Sequence, residues 1–120
     1  MSRETSPESL LPLSALSFAI LLSLAEQNQH GYAIMKEIDM ADSGVAPPGA
    51  GSLYAALDRL LNQKLIDVAP QPDGERDPRR RYYALTGFGR QVAQAECRRL
   101  MHVVDSARRK RLIAVHSSHT

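Results

Sequence analysis

The groups on this chain that can do chemistry are four imidazoles, one thiol and two runs of guanidinium. His30, His102, His116, His119 and Cys97 are the available nucleophiles and proton carriers, yet no carboxylate or glycine-rich turn is placed to build a triad around them. His116 and His119 have the i, i+3 spacing of metal ligands but fall in a polar tail read as disordered. His30 precedes a glycine at a helix start, where a structural role is the simpler reading. The chain is therefore read as a non-enzyme, with no metal site and no cofactor. What remains is positive charge. Arginines concentrate at 76–81 and 98–111 on 120 residues whose net charge is only +2, a pattern of local patches for a polyanion. Solvated helix faces would look similar.

A polyanion seat needs elements to position it, and the stretch Gly51 to Ile66 supplies the first. Leu53, Leu57, Leu60 and Leu61 fall on one helical stripe. The opposite face carries Ser52, Ala55, Asp58, Arg59 and Asn62, small or hydrogen-bonding residues with one self-cancelling charge pair. Such a front can enter a narrow groove without desolvating large charges, as a DNA major-groove helix must. Arg59 can read a guanine edge or pair with Asp58. After the helix, Leu65–Ala69 suits a short strand, residues 70–78 a proline-bounded turn centred on Asp73-Gly74, and Arg79–Thr86 a returning strand.

The remaining elements frame these. Residues 1–12 are expected to be a flexible leader, and a first helix starts at Pro12 or Ser14 and runs to about Gln27. It is apolar nearly all round: Leu16, Ile20 and Leu24 form one stripe, with Phe18 and Leu22 on the far side. Such a helix is buried on more than one side, and a second subunit is the simplest cover. The segment Leu10–Ala25 resembles a signal-peptide core, but it is short, serine-rich and has no positive leader or cleavage site. After a break at Asn28–Gly31, residues 32–40 form a second helix with Ile34, Ile38 and Ala41 inward, and residues 42–51 a Pro/Gly connector. Thr86 caps a long final helix reaching about Ala114. Its Ala93, Cys97, Leu100, Val104 and Ala107 keep the 4-3-4-3 rhythm of a helix seeking another helix. Residues 115–120 are a disordered tail. A lone Cys97 excludes an intramolecular disulfide and fits a reducing cytoplasm.

The expected fold is thus mostly α with a small two-stranded β wing: a winged helix-turn-helix over residues 13–87, then a dimerisation helix over 88–114. At this level the ordered set His30-Gly31-Tyr32, Gly51-Ser52-Leu53-Tyr54, Leu57-x-x-Leu60, Leu65-Ile66 and Arg80-Arg81-Tyr82-Tyr83-x-Leu85-Thr86-x-x-Gly89 resembles the PadR family of bacterial winged-helix transcriptional regulators. The resemblance spans about residues 14–105, and the single helix after the wing is similar to the compact subfamily. It implies a homodimer, the last helix of each subunit packing on the first helix of its mate. It also implies binding to an inverted-repeat operator in double-stranded DNA, as a repressor released by a small molecule.

Carried over by position, the resemblance makes Ser52, Tyr54, Ala55 and Arg59 face DNA, with Arg79, Arg80 and Arg81 as phosphate contacts of the wing. Tyr54 can instead pack beside Leu57. Of the tyrosine pair, Tyr83 would be core and Tyr82 exposed. Leu16, Ile20, Ala93, Cys97, Leu100, Val104 and Ala107 would form the dimer interface, and Leu16, Ile20, Leu100 and Val104 would line an effector pocket, although packing alone explains them equally well. Three departures stand out. Ala55 replaces a common proline, Leu61 a common acid, and Lys64 a usual glycine. Without any Trp, the aromatic platform that some relatives use for flat ligands is missing. A winged-helix module for protein contact or ligand binding, with incidental DNA affinity, is the alternative function, and no membrane association is expected.

Overall fold

Among the described residues, three of the four α-helices begin where a side chain can accept an amide hydrogen that the first turn leaves free. The computed structural model describes residues 6–41 and 45–114. Ser14 Oγ accepts Ser17 N–H at 3.1 Å and starts α1, Ala15–Ser23. His30 Nδ1 accepts Ala33 N–H at 3.2 Å and starts α2, Gly31–Met40. Thr86 Oγ1 accepts Gly89 N–H at 2.8 Å and starts α4, Gly87–Arg109. Only α3, Ala50–Asn62, starts from a glycine, Gly49, without a side-chain cap.

The strands are short: β1 is Gln29–His30, β2 is Ile66–Ala69 and β3 is Tyr82–Leu85. They form one antiparallel sheet in the order β1-β3-β2. The wing is therefore three-stranded rather than two-stranded. The stretch before Gly31 that reads as a break is its third strand, with His30 opposite Tyr82 and Gln29 opposite Tyr83. Two residues are too few for an alternating pattern to register. Arg79–Arg81 precede β3 instead of lying on it, in a turn closed by Arg80 N–H to Asp77 O at 3.2 Å.

The core sits where α1, α2, α3 and α4 meet the sheet. Ile20, Leu21, Ile34, Ile38, Leu53, Leu57, Leu60, Leu65, Ile66, Tyr83 and Val92 are buried there. The stripe on α3 faces inward as expected, while Ala41 lies exposed beyond the end of α2. Helix α1 stops at Ser23, short of Gln27. Ser23 Oγ donates back to Ile20 O at 2.7 Å, and the Gln29 side-chain amide donates to Ser23 O, so partners outside the ladder replace the next turn.

The leader is a correction too. Pro7–Leu10 form a 3₁₀ turn against α4, Leu10, Leu11 and Leu13 pack on the core, and Glu8 Oε2 lies 3.8 Å from Arg98 Nη2. The apolar leucines just past Glu8 give the arm something to bury, which its polar start conceals. Leu13 N–H ends on Glu96 Oε2 at 3.1 Å. The expectations for the first residues, for the middle of the connector and for the tail with His116 and His119 fall on 1–5, 42–44 and 115–120, outside the described residues.

Helix α3 ends in a reversal that gives Lys64 its meaning. Lys64 N–H bonds to Leu61 O and Leu65 N–H to Leu60 O, both at 3.0 Å, with Lys64 at φ 65°. This 6→1, 5→2 pair is a Schellman motif, whose left-handed residue is usually glycine. Leu60 and Leu65, the apolar pair that accompanies it, are both buried. The same device closes α4 at Arg111, φ 64°. A left-handed residue with a Cβ costs about 1–2 kcal/mol, and glycine's extra freedom when unfolded returns about 0.5–1 of it. Lys64→Gly is therefore expected to stabilise the protein by roughly 0.5–1 kcal/mol. Denaturant titration of both forms checks this, and a loss of stability would contradict the strain at Lys64.

Candidate nucleic-acid interface

The exposed front of α3 and the loop before β3 meet in an open cleft of about 510 Å³. Its walls are His30, Gly31 and Tyr32 from the start of α2, Tyr54 and Asp58 from α3, and Asp77, Arg79, Arg80, Arg81 and Tyr83 from the wing. The sequence therefore places four of its expected DNA contacts, Tyr54 and the three arginines, around one space. Ser52, Ala55 and Arg59 are exposed on the outer face of α3 beside it. Arg59 makes no ion pair among the described residues, so the pairing with Asp58 is not formed.

Tyr54 lies flat against the start of α2. A Cβ on Gly31 would come within 2.5 Å of the Tyr54 hydroxyl oxygen, so glycine is needed there for α2 and α3 to approach. Tyr54 packs on Gly31 and still leaves 45 % of itself exposed. Tyr83 is buried and Tyr82 half-buried, the split expected of neighbours on a strand.

Arg79, Arg80 and Arg81 each already have a partner. Arg79 Nε lies 3.2 Å from Asp77 Oδ1, and the same oxygen accepts Arg79 N–H at 2.9 Å. Arg80 Nη1 lies 3.6 Å from Glu75 Oε1. The Arg81 guanidinium sits 5.7 Å from the Tyr83 ring centroid, within cation–π range. Sequence reasoning missed Glu75 and Asp77 as partners, though acids two to five residues ahead of the arginines are visible in Glu75-Arg76-Asp77-Pro78-Arg79-Arg80. It also left out Arg76, exposed at the tip and in no ion pair among the described residues.

His30 joins this site to α2. Its ring stands edge-on to Tyr82 at 5.2 Å and parallel to Tyr32 at 6.4 Å. Burial, then the nearby Arg80 charge, hold its pKa below the ordinary imidazole value, against a smaller opposing pull from Glu75. The cap needs an unprotonated Nδ1, and the lowered pKa favours that neutral ring.

The expected dimer residues divide. Ile20 is fully buried in the chain's own core, so it has no surface for a partner or an effector; its stripe on α1 is taken by α2, α3 and α4. Leu16 and Ala93 are partly buried against that core. Cys97 is exposed, Leu100 and Ala107 are half-buried, and Val104 is 42 % exposed. Inside the chain, α4 instead buries Gly89, Val92, Ala95 and Glu96, a neighbouring face of the helix. Glu96 lies in that seam, 2 % exposed, with its carboxylate held by Arg99 Nη2 at 3.1 Å and by Leu13 N–H. Those bonds, Arg99 first, keep its pKa below the usual carboxylate range.

A groove of about 410 Å³ runs between α1 and α4, lined by Leu13, Ala15, Phe18, Ala19, Leu22, Val45, Glu96, Arg99 and Leu100. Of the four residues expected to line an effector pocket, Leu100 alone reaches it. Val104 lines a smaller recess farther along α4 with Leu100, Met101, Asp105 and Arg108. No helix among the described residues is long and apolar enough to cross a membrane.

The family model described as transcriptional regulator PadR-like matches residues 20–95. Among solved structures, a PadR family transcription regulator from Clostridium difficile R20291 superposes with a TM-score of 0.70 at 22% identity, covering 80% of this chain and 97% of that one. A transcriptional regulator from Clostridium thermocellum gives 0.66 at 23%, covering 78% and 87%. RosR of H. salinarum gives 0.58 at 32%, covering 86% and 89%. No match was found among curated protein sequences.

The His30 cap sets a pH dependence. Because the folded pKa is depressed, the cap's contribution is complete above the unfolded imidazole value of about 6.5 and is lost as pH falls through the folded value. Thermal midpoints should therefore drop on acidification through that window. His30→Asn, which caps without titrating there, should flatten this component. Parallel profiles for the two proteins would rule the cap out as its origin.

Proposed function

The chain belongs to the PadR-like family of transcriptional regulators, and from that premise we propose that it is a homodimeric, sequence-specific repressor of an inverted-repeat operator. The observation that carries this reading is the front of α3. Ser52, Ala55 and an unpaired Arg59 are exposed together beside a cleft holding Tyr54 and three arginines. Phosphate contacts position a protein on duplex DNA, and base-edge contacts specify the sequence. In this assignment Arg79, Arg80, Arg81 and the Tyr54 hydroxyl do the first, and Arg59 does the second.

The dimer reading is supported by apolar surface that the single chain leaves open. Leu22 on α1 is 49 % exposed, and Met101, Val103 and Val104 on α4 are 66 %, 53 % and 42 % exposed. Cys97, Leu100, Val104 and Ala107 would meet α1 of the mate, holding two copies of α3 about 34 Å apart, one turn of DNA. A small apolar effector in the α1–α4 groove would compete with that packing and change the spacing, coupling ligand to operator. The cytoplasm is the compartment we assign, on the single reduced thiol.

Arg59→Ala should change the ranking of operator variants, losing about 1–3 kcal/mol at one guanine position. Competition gel shifts with single-base variants measure it, and an equal loss on every sequence would reduce Arg59 to a positioning contact. Paired Met101→Asp and Val104→Asp changes should move the protein to monomer in sedimentation and weaken the inverted repeat more than a half-site. A dimer that survives both would place the interface elsewhere.

A further inference from the structure

Glu75 lies inside the wing rather than on it. Its side chain is 6 % exposed, in a loop that otherwise faces solvent. One oxygen accepts the Tyr82 hydroxyl and lies beside Arg80 Nη1, and the other accepts Asp77 N–H at 3.0 Å. Asp77 repeats the arrangement one step on, with Oδ1 taking both the backbone N–H and the guanidinium of Arg79. The hydrogen bonds keep both carboxyls ionised below their ordinary range, Tyr82 contributing most at Glu75 and Arg79 N–H at Asp77. Two of the three cleft arginines thus carry a counter-ion from their own loop.

Arginine–carboxylate and arginine–phosphate pairs are interactions of the same kind. Exchanging one for the other gains little, and a cation already neutralised releases few counter-ions from DNA. The unpaired Arg59 and Arg76 stand outside this discount. We infer that Glu75, together with Asp77, is a positioning residue for DNA binding: an internal counter-ion that subtracts Arg80 and Arg79 from the wing's sequence-independent pull, leaving discrimination to α3. This rests on the DNA-binding reading above. It also accounts for a chain whose arginine-rich loop is nearly neutral in sum.

The test uses the full chain and variants that remove charge while keeping an acceptor oxygen. Glu75→Gln and Asp77→Asn each free one arginine. Asp73→Asn changes net charge equally in the same loop, but Asp73 makes no ion pair among the described residues. Tyr82→Phe removes the brace and leaves the Glu75 charge. Binding to a random-sequence duplex is titrated over a salt series. Glu75→Gln should bind severalfold tighter at low salt, steepen the log K against log salt slope by about 0.9, and lower the operator-to-random ratio. Asp77→Asn should act likewise, while Asp73→Asn and Tyr82→Phe keep the wild-type slope. A slope that is unchanged or shallower in both Glu75→Gln and Asp77→Asn overturns the inference, since a purely bracing carboxylate behaves so. If the wild type binds no duplex, the DNA-binding reading falls instead, and elution from heparin decides the counter-ion role. Later elution of Glu75→Gln than of Asp73→Asn upholds it, and co-elution ends it.

Discussion

One carbonyl fastens α3, the wing and the final helix together. Leu65 closes the reversal after α3 through its N–H, while its oxygen accepts Thr86 N–H at 3.1 Å. The Thr86 hydroxyl donates chiefly to Lys64 O at 2.7 Å and also lies 3.1 Å from Leu65 O. Thr86 in turn caps α4 through Gly89 N–H. Gly89 has to be glycine, because a Cβ there would stand 2.0 Å from the Leu65 oxygen. The exit of α3, the end of β3 and the entry of α4 are thereby held within a few ångströms.

At the other end of the wing, His30 makes the matching connection. It caps α2, pairs with Tyr82 across the sheet and stacks beside Tyr32. The cleft between α3 and the wing is thus bounded on both sides by hydrogen-bonded joints rather than by loop ends. The joints fix where the arginines point. They do not leave those arginines bare, since Asp77, Glu75 and the Tyr83 ring each hold one.

Much of the fold was legible from residue patterns. The leucine stripe of α3 points inward and Thr86 caps α4, each following from local periodicity or hydrogen-bonding chemistry, while the family resemblance, not periodicity, implied that Tyr83 rather than Tyr82 enters the core. At Lys64 the resemblance pointed to a position where glycine is usual, and only the structure shows its left-handed backbone. Less visible were features made by distant partners. The third strand is two residues long, the arm at Pro7–Leu10 docks on α4, and α1 ends where the Gln29 amide reaches Ser23.

What the sequence determined by itself was where the four α-helices and the β2–β3 hairpin lie and which face α3 buries, because caps, turns and apolar stripes act over a few residues. What only the tertiary structure decided was occupancy. Ile20, expected at a partner's surface, is consumed by the chain's own core, and two of the three arginines expected to await phosphate, Arg79 and Arg80, already have carboxylates. The physical reason is that a stripe or a charge is defined locally, whereas what satisfies it is chosen by whichever group the fold brings closest.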